Sequence, residues 1–268
     1  MAGIPRAWLA LVTLLCIAAP ARAAEWFPLR PGVRWSYDVR GEASRTFAGL
    51  TQSERLQGTR EMQVRGASPH FPDRPYEVLE AHRVHVESDM GARHTKSEMH
   101  SAYLKPAASG LLLYGEEIAN PLQGGARKLV RHAKPIQLLP AEPKRGQRWN
   151  VGTTELDGLR LDLAGEVVGI QDAQTPAGTY RGCLKVQIHG TFSGQFSLDG
   201  LHARVTDGRY RATEWYAPGV GLVLVEEQKE LRLALPAGQT VSASEHVWRT
   251  LRETNVAPAA PASPDTNR

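Results

Sequence analysis

The chain has 268 residues, with 32 Lys and Arg against 28 Asp and Glu, and only two Cys. A hydrophobic share of 41% and a charged share of 22% fit a globular protein large enough for one broad domain or two packed halves. Charges of both signs are interspersed, with no basic stripe beside aromatics, which excludes a nucleic-acid partner.

Residues 1–23 read as a signal peptide. Arg6 supplies a positive start, Ala7–Ala19 an apolar run, and Ala21-Arg22-Ala23 an A-x-A cleavage site. The run is too short to span a bilayer, so no transmembrane span is expected after cleavage and the mature chain is expected in the periplasm or outside the cell. Cys16 follows Leu14-Leu15, which argues against lipidation. Cleavage takes 23 of the 268 residues and leaves 245, with 30 Lys and Arg against 28 Asp and Glu, a formal charge of +2. Cys183 is then the one remaining cysteine, so no internal disulfide is available in an oxidising compartment.

The mature chain reads as strands throughout. Trp35, Tyr37 and Val39 alternate with Arg34, Ser36, Asp38 and Arg40, the period of a half-buried strand. Met62 and Val64 mark a second strand and Tyr76–Val86 a third, separated by the proline-rich loop at 68–75. Residues 116–145 hold Pro121, Pro135, Pro140 and Pro143 and read as a linking loop. Trp149, Val151 and Thr153 open a second alternating series. Asp157-Gly158, Asp199-Gly200 and Asp207-Gly208 are hairpin signals. Thr175-Pro-Ala-Gly-Thr and Leu235-Pro-Ala-Gly-Gln are further turns, and strands at 230–235 and 239–251 form a last hairpin. The stretch Glu214–Glu227 organises this half. Pro218-Gly219 suits a type II turn over Ala217–Val220, and Leu222–Val225 reads as a strand covered on both faces. Residues 254–268 are a Pro/Ala-rich tail that cannot bury a core.

The two halves echo each other. Gly110-Leu-Leu-Leu aligns with Gly221-Leu-Val-Leu, and Gly32-Val-Arg-Trp35 with Gly146-Gln-Arg-Trp149, at offsets of 111 and 114 residues. Such a period is too long for a solenoid and fits two β-meanders, 24–115 and 146–253, the second ending in the extra hairpin. The expected fold is all-β and antiparallel, two similar meanders forming a barrel-like roll or sandwich. Trp35, Gly110, Trp149, Pro218, Gly219 and Gly221 are its expected structural anchors.

Chemistry-bearing residues are sparse. His82, His85, His94 and His100 crowd one region beside Glu80, Glu87 and Glu98, types that ligate metals. However, His82 and His85 should point to opposite faces of one strand, so neither a metal nor a cofactor is expected. Ser193 in Gly190-Thr-Phe-Ser-Gly sits one place too late for a nucleophile elbow. Glu116-Glu117 and Glu226-Glu227 read as solvated strand ends that guard against aggregation. Cys183 lies off the parity of Leu184, Val186 and Ile188 and is expected on the opposite face from the core.

Three stretches resemble secreted proteins of Gram-negative bacteria: Phe27-Pro-Leu-Arg-Pro-Gly-Val-Arg-Trp-Ser-Tyr, Pro176-Ala-Gly-Thr-Tyr-Arg-Gly-Cys-Leu-Lys-Val and Tyr216-Ala-Pro-Gly-Val-Gly-Leu-Val. The resemblance implies export and β architecture and carries over no catalytic residue. The expectation is a non-catalytic envelope protein that binds a partner protein or an apolar ligand. The alternative is a hydrolase of a cell-envelope polymer with a site of dispersed residues.

Overall fold

A computed structural model describes residues 23–119, 127–156, 158–198 and 201–257. The expected signal peptide except Ala23, the expected turn at Asp199-Gly200, Asp157 of the Asp157-Gly158 signal and most of the expected tail lie outside these. A single helical turn, α1 (Ala23–Trp26), precedes twelve antiparallel strands. They are β1 (Arg34–Phe47), β2 (Leu50–Ala67), β3 (Tyr76–Ser88), β4 (Arg93–Ala107), β5 (Gly110–Ala119) and β6 (Arg127–Pro140), then β7 (Arg148–Leu156), β8 (Leu159–Thr175), β9 (Gly178–Leu198), β10 (Leu201–Ala217), β11 (Gly221–Ala234) and β12 (Thr240–Thr254). Each strand pairs with the next, except β6 with β7, and β1 pairs with β12. The result is two six-stranded meanders joined edge to edge in one nearly closed, barrel-shaped sheet.

The alternating side chains of β1 decide which face turns inward. Trp35, Tyr37 and Val39 are buried, while Ser36 and Asp38 between them are half-buried and the flanking Arg34 and Arg40 are exposed. One end of the interior is filled by apolar residues, among them Phe27, Trp35, Val64, Leu111, Val186 and Val223. At this end β11 pairs with β12 only as far as Leu224↔Thr250. Three hydrogen bonds tie the region beyond. Trp35 Nε1 donates to the Val220 carbonyl at 2.6 Å, Tyr37 Oη to the Leu222 carbonyl at 2.8 Å, and Ala177 N, from the β8–β9 turn, to the Leu251 carbonyl at 3.1 Å.

The starts of the two meanders share their backbone bonding. Val33 N bonds Arg30 O, Gly32 N bonds Val64 O, and Val64 N bonds Val33 O. Gln147 N bonds Lys144 O, Gly146 N bonds Val167 O, and Val167 N bonds Gln147 O. Gly32 and Gly146 have φ of +86° and +77°, values that glycine adopts without steric cost.

Several expectations are corrected. Residues 116–145 are not a linking loop, because β5 runs on to Ala119 and β6 occupies Arg127–Pro140. Prolines at strand edges do not stop pairing there. Asp207-Gly208 is not a turn; it lies inside β10 beside a bulge between Val205 and Asp207, another use of the same conformational freedom. Leu222–Val225 is only half covered on its second face: Val223 and Val225 are fully buried, Leu222 and Leu224 partly so. Cys183 is in the core, fully buried, because irregularities between Gln171 and Ala173 shift the register of β8 on β9. The type II turn is as expected: Val220 N bonds Ala217 O at 3.1 Å and Gly219 has φ of +72°.

Candidate functional site

Beyond the apolar end, the inward side chains become charged. Tyr37 on β1 is paired with Arg60 on β2, Arg60 with His82 on β3, and Glu80 with His100 on β4. Residues directly opposite share a face, and so do residues two apart on one strand. Arg60, Glu80, His82 and His100 therefore converge on the interior.

Glu80 is the centre of this group and is buried. Arg60 Nη2 donates to its Oε2, and the same oxygen lies 3.3 Å from His100 Nε2 and 3.6 Å from His82 Nε2. The two imidazoles meet edge to face with centroids 4.9 Å apart. Burial alone would raise the Glu80 pKa, but Arg60 and the two histidines hold it well below the ordinary carboxylate value. Burial pushes the His82 pKa down, so its imidazole is neutral at neutral pH. Glu116, inward on β5 opposite Ala102, has its pKa raised by burial and by the nearby charge of Glu80.

A second charged group faces them from β11 and β12. Glu227 accepts from Arg249 Nη2 at 2.5 Å, and Lys229 Nζ lies 2.7 Å from Glu227 and 3.1 Å from Glu245. Against its own desolvation, Arg249 and Lys229 bring the Glu227 pKa down to about 2. Both groups line one cavity of about 580 Å³, which also reaches Val39, Leu56 and Glu98. A wider recess of about 720 Å³ shares Lys229 and Glu245 with it. Arg60 Nε, His82 Nε2 and Arg249 Nε are buried without a hydrogen-bond partner in the protein. The two guanidinium nitrogens call for an acceptor, whereas the imidazole nitrogen can donate or accept.

Of the four histidines singled out in the sequence, two enter the site. His82 and His100 point inward. His85 is on the opposite face, bonded to Thr95 Oγ1 at 2.9 Å, and His94 is exposed opposite Val86. Glu227 is not a solvated strand end. It is buried, and β11 continues to Ala234, whereas Glu226 faces outward and contacts His246 at 3.0 Å. Arg60, Glu80 and Arg249 went unnoticed as a set. The signal for part of it was Glu80-x-His82 with His100: a hairpin centred on Met90 places residue 80 opposite residue 100.

The anchors hold structure rather than chemistry. Trp35, Pro218, Gly219 and Gly221 lie at the apolar end. Gly221 has φ of +109° and a Cβ there would sit 3.2 Å from the Trp35 indole. Gly110 has φ of +140°, and a Cβ there would overlap the Leu139 carbonyl. Trp149 is only partly buried, and its Nε1 donates across to Gln137 O of β6 at 2.9 Å. Ser193 is exposed. Cys183 Sγ contacts the Tyr180 carbonyl at 3.4 Å, and burial raises its pKa to about 11, which keeps the thiol protonated and unreactive.

No known protein family matches the chain, and no curated protein does. Among solved structures, OpdQ of Pseudomonas aeruginosa aligns over 85% of this chain and 99% of its own, with 6% identity and a TM-score of 0.28. MucB in complex with MucA(peri) aligns over 90% and 97%, with 11% identity and a TM-score of 0.14. Overlaps this low carry no functional argument.

Proposed function

We propose that the chain is an exported, non-catalytic envelope protein whose two meanders arose by duplication, and that its barrel holds a small polar ligand presenting acceptor oxygens. One observation carries this reading: buried guanidinium donors on Arg60 and Arg249 have no partner, and both residues line the same cavity. A wholly apolar ligand would leave them unsatisfied, at a cost of about 1–3 kcal/mol each. The shared bonding at Gly32 and Gly146 supports the duplication. The outward face of the barrel, with exposed Arg40, Arg55, Glu61, Arg83 and Glu87, suits water, since a membrane barrel turns an apolar band outward. No helix among the described residues is long and apolar enough to cross a membrane, which by itself says nothing of strands.

The test is native mass spectrometry of the protein purified from its own envelope. A retained small polar molecule is expected, and it should be lost when Arg60 and Arg249 are both changed to Met. Retention of a hydrocarbon-like lipid, indifferent to those changes, would overturn the reading. A hydrolase is the second reading, because neighbouring Glu80 and Glu116 have pKa values displaced in opposite directions, the pattern that separates a base from an acid. It ranks second because Arg60 already occupies Glu80. Loss of hydrolysis of envelope polymer in Glu116→Gln would reverse that order.

A further inference from the structure

The geometry points to a metal site in the cavity wall: Glu80, His82 and His100 form a three-ligand centre for a divalent transition metal of the zinc type. Their ligand atoms all lie within 4.8 Å of one another. A tetrahedral zinc with ligands at about 2.0–2.2 Å needs neighbouring ligand atoms about 3.3–3.5 Å apart. The carboxylate oxygen already stands 3.3 Å from one imidazole nitrogen and 3.6 Å from the other, so closure asks for an approach of the two ring nitrogens, which lie within 4.8 Å of each other.

The scaffold supports this independently of the distances. All three ligands come from one rigid hairpin, β3–β4, whose register pairs Glu80 with His100 directly. Two imidazoles and one carboxylate are a donor set chosen by zinc, iron, nickel or copper rather than by magnesium or calcium. His82 Nε2 is buried with no hydrogen-bond partner, as a nitrogen awaiting a metal would be. Arg60 Nη2 donates to this same Glu80 oxygen and so fixes the carboxylate in place, while the oxygen's second lone pair is left to ligate. With three protein ligands a tetrahedral ion keeps a fourth position, which an oxygen of a molecule held in the cavity that these residues line would fill. The inference shares its walls with the ligand reading above, yet does not require that ligand.

The experiment is titration of the chelator-treated mature chain with Zn²⁺, and with Co²⁺ followed by visible absorption. One ion per chain is expected, with the intense visible bands of four-coordinate cobalt. His82→Gln and His100→Gln should each raise the dissociation constant at least about tenfold, while His85→Gln and His94→Gln leave it unchanged. Absence of binding, or binding that the first two changes do not affect, would overturn the site. If either variant fails to fold, histidine carbethoxylation of the wild-type chain replaces it. Zn²⁺ should shield His100, whose side chain is 28% exposed, and leave His85 reactive, and equal labelling of His100 with and without metal would count against the site. A chain that retains an organic molecule but takes up no metal would overturn this inference and leave the cavity reading intact.

Discussion

The two meanders meet twice, and the two junctions are built differently. Between β1 and β12 the ladder runs from Trp35↔Thr254 to Phe47↔Val241, and Trp35 is sealed at 1% exposure. Between β6 and β7 no ladder forms. Trp149 reaches across instead, with one indole hydrogen bond to Gln137 O, and Ile136 packs beside Gly152. The seam has local causes. Pro135 has no backbone donor to offer in β6, and the register shifts at Gly152 and along β5–β6 interrupt regular pairing beside the seam. The tryptophans at the starts of the two meanders thus do unequal work: one completes a core, the other bridges a gap.

The largest expected effects test that inequality directly. Trp35→Ala should cost about 3–5 kcal/mol by urea melts, a large part of a typical stability of about 5–15 kcal/mol. Trp149→Ala should cost clearly less, because its indole is partly exposed. Equal losses would abolish the distinction between junctions. The glycines should order the other way. Gly110→Ala drives a Cβ into a backbone carbonyl, whereas Gly221→Ala meets a ring edge at 3.2 Å and should cost about 1–2 kcal/mol, chiefly from its left-handed backbone. A Gly110 variant as stable as the Gly221 variant would show that the seam side yields freely.

Acid should separate the two sides as well. Glu227, beside the closed junction, has its folded pKa lowered to about 2. An acid lowered on folding stabilises the fold above its unfolded value, near 4.5, and that contribution is lost as pH falls toward 2. Glu116, on the seam side, is raised by burial, so its influence has the opposite sign and stability falls as pH rises through its folded pKa. Glu227→Gln should flatten the acid limb of stability against pH, and Glu116→Gln should raise stability at neutral pH. An unchanged acid limb in the first variant would mean that Arg249 and Lys229 do not hold Glu227 as described. The smallest effect belongs to Trp149→Phe, which removes one hydrogen bond worth about 1 kcal/mol. Hydrogen exchange should quicken in β6 and β7 and stay unchanged in β1 and β12.

Much of this architecture was legible because strands advertise themselves by alternation: Trp35-Ser-Tyr-Asp-Val names its inner face unaided. Turn chemistry was legible where it ended strands, as at Pro218-Gly219, and misleading where the same residues made a bulge, as at Asp207-Gly208. Bulges also hid Cys183, since parity counts fail once a residue is added to one strand. The prolines of β6 concealed a strand because an edge strand can do without some of its donors. The site was hidden for a different reason. Arg60, Glu80, His100 and Arg249 come from four strands, so their meeting depends on registers that no single segment encodes. Only the Glu80–His100 pairing lay within one hairpin, where counting back from its turn would have found it.

The ends of the described barrel lie together. Asn255 Nδ2 donates to Gly32 O and its Oδ1 accepts from Arg34 N, at 2.9 and 2.8 Å, while Gly219 N bonds Glu25 O at 2.6 Å. Meanwhile the covalent link between the meanders, residues 141–147, crosses the junction where neighbouring described strands form no ladder. The linear order of the strands is therefore interchangeable with a circular permutant. Joining residue 257 to residue 24 by a short linker and cutting within 141–145 would preserve every ladder. It would also leave the seam with no peptide across it, turning the junction from a tethered gap into a true opening.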